Sequence, residues 1–267
     1  MGAGPLPSPV VSTDSLGAAP GGRPVVLAIQ NDPTDPPLMM GEWLEECGLH
    51  VRVVNASGGE AVPRSVPADV SGVLPLGGAP NAHDDHVAEW LPDERALLAD
   101  AVERGVPVLG LCLGGQLLAA ALGGRSELGG TTEIGLSYVE RTEEGLVDPV
   151  IAQIGAPSDR IPAAQWHQDH ITQLPDGAVV LLTNAACRVQ AFRVNDTAYG
   201  LQMHPEVDAE AFDTWAVDDD EALARSGRRM SDASAEVRAA EPALIAAWRP
   251  MARAWADLVW AYATDRR

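Results

Sequence analysis

The chain has 267 residues, enough for one sizeable core or one domain with an appendage. Its 18 basic and 38 acidic residues leave a formal charge of −20, so no electrostatic attraction to nucleic acid or to an anionic membrane is expected. Every basic residue is arginine; without lysine there is no Schiff base to a pyridoxal cofactor and no P-loop phosphate lysine.

Residues 1–23 are rich in Gly, Pro, Ala and Ser without periodicity and read as a flexible tail. Val25 to Ile29 is a continuous apolar run, as in a parallel strand covered on both faces. A proline-rich loop leads to a helix near Leu38 to Cys47, stopped by Gly48. Strands are expected at His50 to Asn55 and at Gly72 to Leu76, then a helix from about Pro92 to Arg104 that ends at Gly105. A fourth strand, Val106 to Leu109, runs into Gly110-Leu111-Cys112-Leu113-Gly114-Gly115-Gln116, and Leu117 to Leu122 reads as a helix. Further strands are expected at Thr131 to Arg141, Val179 to Thr183, Cys187 to Val194 and Ala198 to Met203.

This alternation predicts an α/β fold: a mostly parallel central sheet with flanking helices over 24–212. A helical extension is expected over 213–267. Its acidic run Asp218-Asp219-Asp220-Glu221 and the polar stretch to Ala240 read as an exposed, partly helical connector. Leu244, Trp248, Met251, Trp255, Leu258 and Tyr262 then mark one face of a long helix, bent or interrupted around Pro250, that docks on the main domain.

The cysteines Cys47, Cys112 and Cys187 are isolated, which fits a reducing compartment rather than a disulfide scaffold. No signal peptide or membrane-spanning run is recognisable, so a cytoplasmic location is expected. Cys112 lies at a tight strand-to-helix turn, where flanking glycines permit strained backbone and the helix N-terminus favours thiolate and oxyanion. A cysteine nucleophile needs a base, and the base an orienting group. In Gly200-Leu201-Gln202-Met203-His204-Pro205-Glu206 an apolar strand delivers His204 to the sheet edge expected to carry Cys112, with Glu206 two residues on.

Together, the Cys112 and His204 segments resemble the class I (triad) glutamine amidotransferases. Leu76-Gly77-Gly78 is similar to that family's oxyanion loop. Glu133-Ile134-Gly135, Trp166-His167-Gln168-Asp169 and Gln190-Ala191-Phe192 resemble its stand-alone branch, which includes γ-glutamyl peptidases and GMP-synthase-like amidotransferases. The resemblance spans Val25 to Val207 and implies these roles. Cys112 attacks a γ-glutamyl carbonyl to form a thioester, His204 is base and then acid, and Glu206 orients it. The Gly78 and Leu113 N–H groups form the oxyanion hole, and Gln116 contacts the glutamyl moiety. Apart from the resemblance, Asp169 is a candidate anchor for a substrate α-amino group, with a surface loop carboxylate as the alternative reading. The chain departs from the family pattern at Ala79-Pro80, where proline usually follows the glycines directly, and at Gly115, where this branch often has histidine.

The expected substrate is glutamine or another γ-glutamyl compound, with ammonia passing to a separate synthase or acceptor subunit. No synthase domain is expected after Glu206. No cofactor is expected, and no metal, although His83-Asp84-Asp85-His86 and His167-Gln168-Asp169-His170 offer ligand types in what read as loops. Cys47 and Cys187 are expected to be buried and structural, and a homo-oligomer is compatible with the sequence. Three alternatives stay open: a γ-glutamyl peptidase; a cysteine variant of the α/β-hydrolases, with Asp148 or Asp169 replacing Glu206; and a non-catalytic regulatory subunit that keeps the fold.

Overall fold

A computed structural model describes residues 22–156, 158, 160–215 and 220–266. Residues 1–21 of the expected tail, and Asp218 and Asp219 of the acidic run, lie outside the described residues. Arg23, assigned to that tail, instead holds the fold: its guanidinium donates to the Gly48 carbonyl at 3.1 Å and pairs with the Glu45 carboxylate.

Nine strands form one sheet: β1 (Val25–Gln30), β2 (His50–Asn55), β3 (Val70–Pro75), β4 (Val108–Leu111), β5 (Arg125–Arg141), β6 (Ile161–Gln173), β7 (Val179–Thr183), β8 (Ala191–Val194) and β9 (Ala198–Leu201). Their order is β2-β1-β3-β4-β9-β8-β7-β5-β6. The first five of these neighbours pair in parallel. From β9 to β6 every pairing is antiparallel. The α/β fold is as expected, with parallel pairing confined to one half. Short turns join β7, β8 and β9, and connections that short can link only antiparallel neighbours.

Helices α1 (Leu38–Glu46), α2 (Leu91–Glu103), α3 (Leu113–Ala121), α4 (Glu143–Val147), α5 (Ala209–Trp215), α6 (Asp220–Ser226) and α7 (Met230–Asp265) complete the fold. Both faces of β1 are buried: Val25, Leu27 and Ile29 face α2 and α3, while Val26 and Ala28 face the core shared with α1, α5 and α7. That two-sided burial explains the unbroken apolar run.

The helix carrying the tryptophan stripe is not interrupted at Pro250 and begins well before Ala240. α7 is continuous for 36 residues and passes through both Pro242 and Pro250. Proline removes an intrahelical donor; the one missing at Pro250 would have met the Ala246 carbonyl, and the Gly155 N–H donates to the next carbonyl, that of Ala247, at 2.8 Å. Only glycine can come so close, since a Cβ there would lie 2.5 Å from the Ala246 oxygen. Trp248 and Trp255 are fully buried, and Trp248 Nε1 donates to the Pro162 carbonyl at 2.8 Å. α7 thus lies against β3, β5, β6 and α1. Among the described residues, no helix is long and apolar enough to cross a membrane.

Glu94, on α2, is fully buried and accepts from Asn31 Nδ2 at 3.2 Å. Burial pushes its pKa to about 8, against the opposing pull of Asn31 and Arg95. The folded state therefore binds a proton that the unfolded chain has released at neutral pH, and stability falls as pH rises from about 4.5 towards about 8. Glu94→Gln imitates the protonated acid. It should raise Tm near pH 8, equivalent to roughly 2–4 kcal/mol, and change it little near pH 5. Thermal melts across that range check this; a Tm difference independent of pH would contradict it.

Candidate active site

Of the five parallel strands, β1, β3, β4 and β9 end at the edge of the sheet where open α/β sheets place their ligands. β4 and β9 pair in register from Val108↔Ala198 to Leu111↔Leu201. The Cys112 N–H then donates to the Leu201 carbonyl at 2.8 Å. The cysteine and the segment that carries His204 therefore leave the sheet side by side.

Cys112 occupies the N-cap of α3 with φ 48° and ψ −109°, a positive-φ conformation that L-residues rarely adopt. Its glycine neighbours are needed for close approach. A Cβ on Gly114 would overlap the Pro75 carbonyl oxygen, one on Gly110 would lie 2.5 Å from the Gly114 oxygen, and one on Gly115 2.8 Å from the Leu201 oxygen. The last contact leaves little room for a side chain at Gly115. Leu113 opens α3, so its N–H has no carbonyl one turn back to bond. Gly78 packs beside it, since a Cβ there would be 3.2 Å from Leu113 Cδ2.

His204 and Glu206 are both buried, with Nδ1 and Oε1 2.6 Å apart. The other side of the ring interacts with the Cys112 sulfur. Burial disfavours the imidazolium, but the Glu206 carboxylate and the Cys112 sulfur outweigh it and raise the His204 pKa well above its usual 6.5. Trp215 of α5 lies against the imidazole at 4.5 Å between ring centroids. The sulfur is further flanked by the Trp166 carbonyl and the Gln202 amide nitrogen, each at 3.8 Å. The other two thiols differ. Cys187 is buried and pushed up to about 12 by desolvation, whereas Cys47 is half-exposed, contrary to expectation.

These groups open on a cavity of about 420 Å³, within the usual range for small-molecule sites. Its lining brings together Cys112, His204, Gly78, Gln116 and Asp169. Gln116 Nε2 lies 3.4 Å from both the Asp169 carbonyl and Gln202 Oε1. Asp169 Oδ2 accepts from Asn81 Nδ2 at 2.6 Å.

The segment 167–170, read as a loop, is the middle of β6. Its alternation was hidden because His167 points into a buried polar cluster rather than an apolar core. His167 Nε2 is 3.2 Å from Glu133 Oε2, which also accepts from Gln190 Nε2 at 2.7 Å. Although burial alone would raise the Glu133 pKa, His167, Asn184 and Gln190 hold it below the usual value. The other histidine-acid motif is not assembled either, because His83 and His86 are exposed and Asp85 pairs with Arg95 at 2.8 Å. Among the described residues, metal-ligand atoms converge only at Asp35, His204 and Glu206, where the histidine and glutamate already bond each other.

The hydrolase-type acids can be excluded on position. Asp148 is buried against Arg193 at 2.9 Å and caps the Val150 and Ile151 N–H groups. Asp169 faces Asn81. The carboxylate on His204 is Glu206.

The model of the family described as glutamine amidotransferase class-I matches residues 41–220, more than half of the chain. The chain belongs to this family. A glutamine amidotransferase-like protein of Salmonella typhimurium, YfeJ, is 33% identical over 74% of this chain and 82% of its own. A glutamine-hydrolysing GMP synthase subunit of Natronomonas pharaonis is 40% identical over 38% of this chain and 53% of its own. Among solved structures, a glutamine amidotransferase from Thermotoga maritima aligns with a TM-score of 0.74 at 26% identity, covering 89% of this chain and 98% of that one.

Sequence reasoning missed Asp35, Asn81 and Trp215. The first two sit in proline-containing loops at strand ends, where position at the active edge was the available signal. Trp215 lies beyond the motifs, and only the fold of α5 returns it to the imidazole. Because the elbow glycines touch backbone, Gly114→Ala should cost about 1–3 kcal/mol of stability and slow Cys112 alkylation. Gly130→Ala, with nothing within 4 Å of its Cβ, should change neither. Thermal melts and timed labelling check both.

Proposed function

We propose that this member of the class-I glutamine amidotransferase family is a cytoplasmic cysteine-dependent glutaminase that releases ammonia for a separate acceptor or synthase subunit. The observation that carries this reading is the buried sequence of contacts from Glu206 through His204 to the Cys112 sulfur. Thiolate is favoured next to an imidazolium and at a helix N-terminus. Attack on the glutamine γ-carbonyl forms a C–S bond and sends the carbonyl electrons to oxygen. The Gly78 and Leu113 N–H groups receive that oxyanion; losing one such donor costs on the order of 3 kcal/mol of transition-state stabilisation. His204 gives its proton to the departing nitrogen, leaving ammonia and a γ-glutamyl thioester. Water then attacks the thioester with His204 as base, releasing glutamate and restoring the thiol.

The acidic lining, which includes Asp32, Asp84, Asp169 and Glu221, suits the α-ammonium group of glutamine, with Asp169 as its anchor and Gln116 against the glutamyl chain. The matched relative named as a glutamine-hydrolysing GMP synthase subunit supports the idea of a partner subunit for the ammonia. A γ-glutamyl peptidase would use the same groups, and it differs only in the amine that leaves.

Ammonia release from glutamine, set beside amine release from γ-glutamyl dipeptides, distinguishes these substrates. Cys112→Ala should abolish both activities, a loss on the order of 10⁶ in kcat, and His204→Ala should come close. Glu206→Gln should be about two orders of magnitude milder, because it keeps part of the orientation. Turnover retained in Cys112→Ala would overturn the assignment.

A further inference from the structure

The carboxyl of Asp35 is the one acid beside the His204–Glu206 pair to which the chemistry above gives no task. Asp35 is 3% exposed. Ligand-type atoms of Asp35, His204 and Glu206 all lie within 4.8 Å of one another. The Gly77 N–H donates to its carboxyl, and a Cβ on Gly77 would overlap Asp35 Oδ2 and lie 2.9 Å from His204 Cε1. Carboxyl and imidazole thus flank the same glycine of the expected oxyanion loop.

The loop that carries Asp35 is held from several sides. Thr34 donates twice to Asp32 Oδ1, at 2.9 and 2.7 Å. Trp215, which lies on the His204 ring, donates from Nε1 to the Thr34 carbonyl at 3.1 Å. The Met39 N–H, just beyond the loop, donates to the Glu206 carbonyl at 3.1 Å. Within this arrangement two buried carboxyl oxygens, Asp35 Oδ1 and Glu206 Oε2, have no hydrogen-bond partner. Two neighbouring buried carboxyls do not readily both ionise, and one proton between them gives an unpartnered oxygen a donor.

We infer that Asp35 is a positioning residue of this site, sharing a proton with Glu206 and so holding Glu206 on His204. This rests on the reading of Cys112, His204 and Glu206 as a catalytic triad. The charged groups facing Asp35 are Asp32 on its own loop and Glu206 and His204 after β9, with the Gly77 amide dipole after β3. Burial, Glu206 and Asp32 raise its pKa to about 8, against His204 and Gly77. Below that pH, Asp35 is a neutral donor to Glu206. Above it, the added negative charge keeps the proton on His204 to higher pH. Asp35→Asn removes that charge but keeps an N–H donor, and Asp35→Ala removes both.

The test follows alkylation of Cys112 by iodoacetamide against pH in the full chain, with the labelled peptide identified by mass spectrometry. It needs no substrate, so it does not depend on which γ-glutamyl compound is turned over. The alkaline step of that profile reports loss of the His204 proton. It should move down by about one pH unit in both Asp35→Asn and Asp35→Ala. With glutamine as substrate, Asp35→Ala should lower kcat about tenfold with KM within about twofold, and Asp35→Asn should recover most of the loss. A step present in the wild type but unmoved in folded Asp35→Asn overturns the role of Asp35. A wild-type profile with no such step overturns the triad reading beneath it. If Asp35→Ala does not fold, the near-isosteric Asp35→Asn decides alone.

Discussion

A fully buried carboxylate bonded at 2.6 Å to a buried imidazole is the constraint around which the active edge is arranged. An isolated charge so placed would be expensive; a pair with hydrogen bonds is tolerable but must be held in position. The protein does so with backbone. The His204 N–H donates to the Ala164 carbonyl at 2.9 Å, tying the segment to β6, and the Glu206 carbonyl accepts from Met39. Trp215 covers the imidazole face. The pair is therefore fixed by three separate parts of the chain, and the sulfur of Cys112 completes it from a fourth.

The parallel half of the sheet explains why these parts meet. Strands that run the same way deliver their ends to one edge, so residues far apart in sequence become neighbours without long loops. The antiparallel half has another task. β6 crosses the site in mid-strand, presenting the Trp166 carbonyl to the sulfur and Asp169 to the cavity. The buried Glu133–His167–Gln190 cluster fixes that strand's register. A reactive edge made of strand ends is thus walled by a strand side, and the two halves place polar groups by different rules.

Much of this was legible in the residues. The runs at Val25 and His50 are strands within a residue of expectation, and the spacing of Leu244, Trp248, Met251 and Trp255 marks the buried face of α7. Cys112, His204 and Glu206 could be named because two short motifs carry them. What escaped was set by tertiary context. Periodicity sees apolar alternation, so β6, whose inward positions near the site are Gln165 and His167, passed for a loop. Proline at position 250 reads as a bend or an interruption, and nothing local shows that Gly155 packs against the helix there. Asp35 lies in the proline-rich loop, and nothing local announces that this loop folds inward.

Residues 76–78, proposed above to receive the oxyanion, lie between two such inward acids. Asn31 donates to the Leu76 carbonyl at 3.1 Å and to Glu94 at 3.2 Å, while Gly77 donates to Asp35. Each acid is desolvated enough to have its pKa raised to about 8. A neutral carboxylic acid can accept from a backbone or side-chain amide and donate with its own proton, which neither an amide carbonyl nor a carboxylate can do. Through Asn31 and Gly77 these acids engage polar groups of residues 76 and 77 and, when neutral, add no charge there. In a chain with a formal charge of −20, burial that favours the neutral form of these two acids limits the negative charge beside residues 76–78.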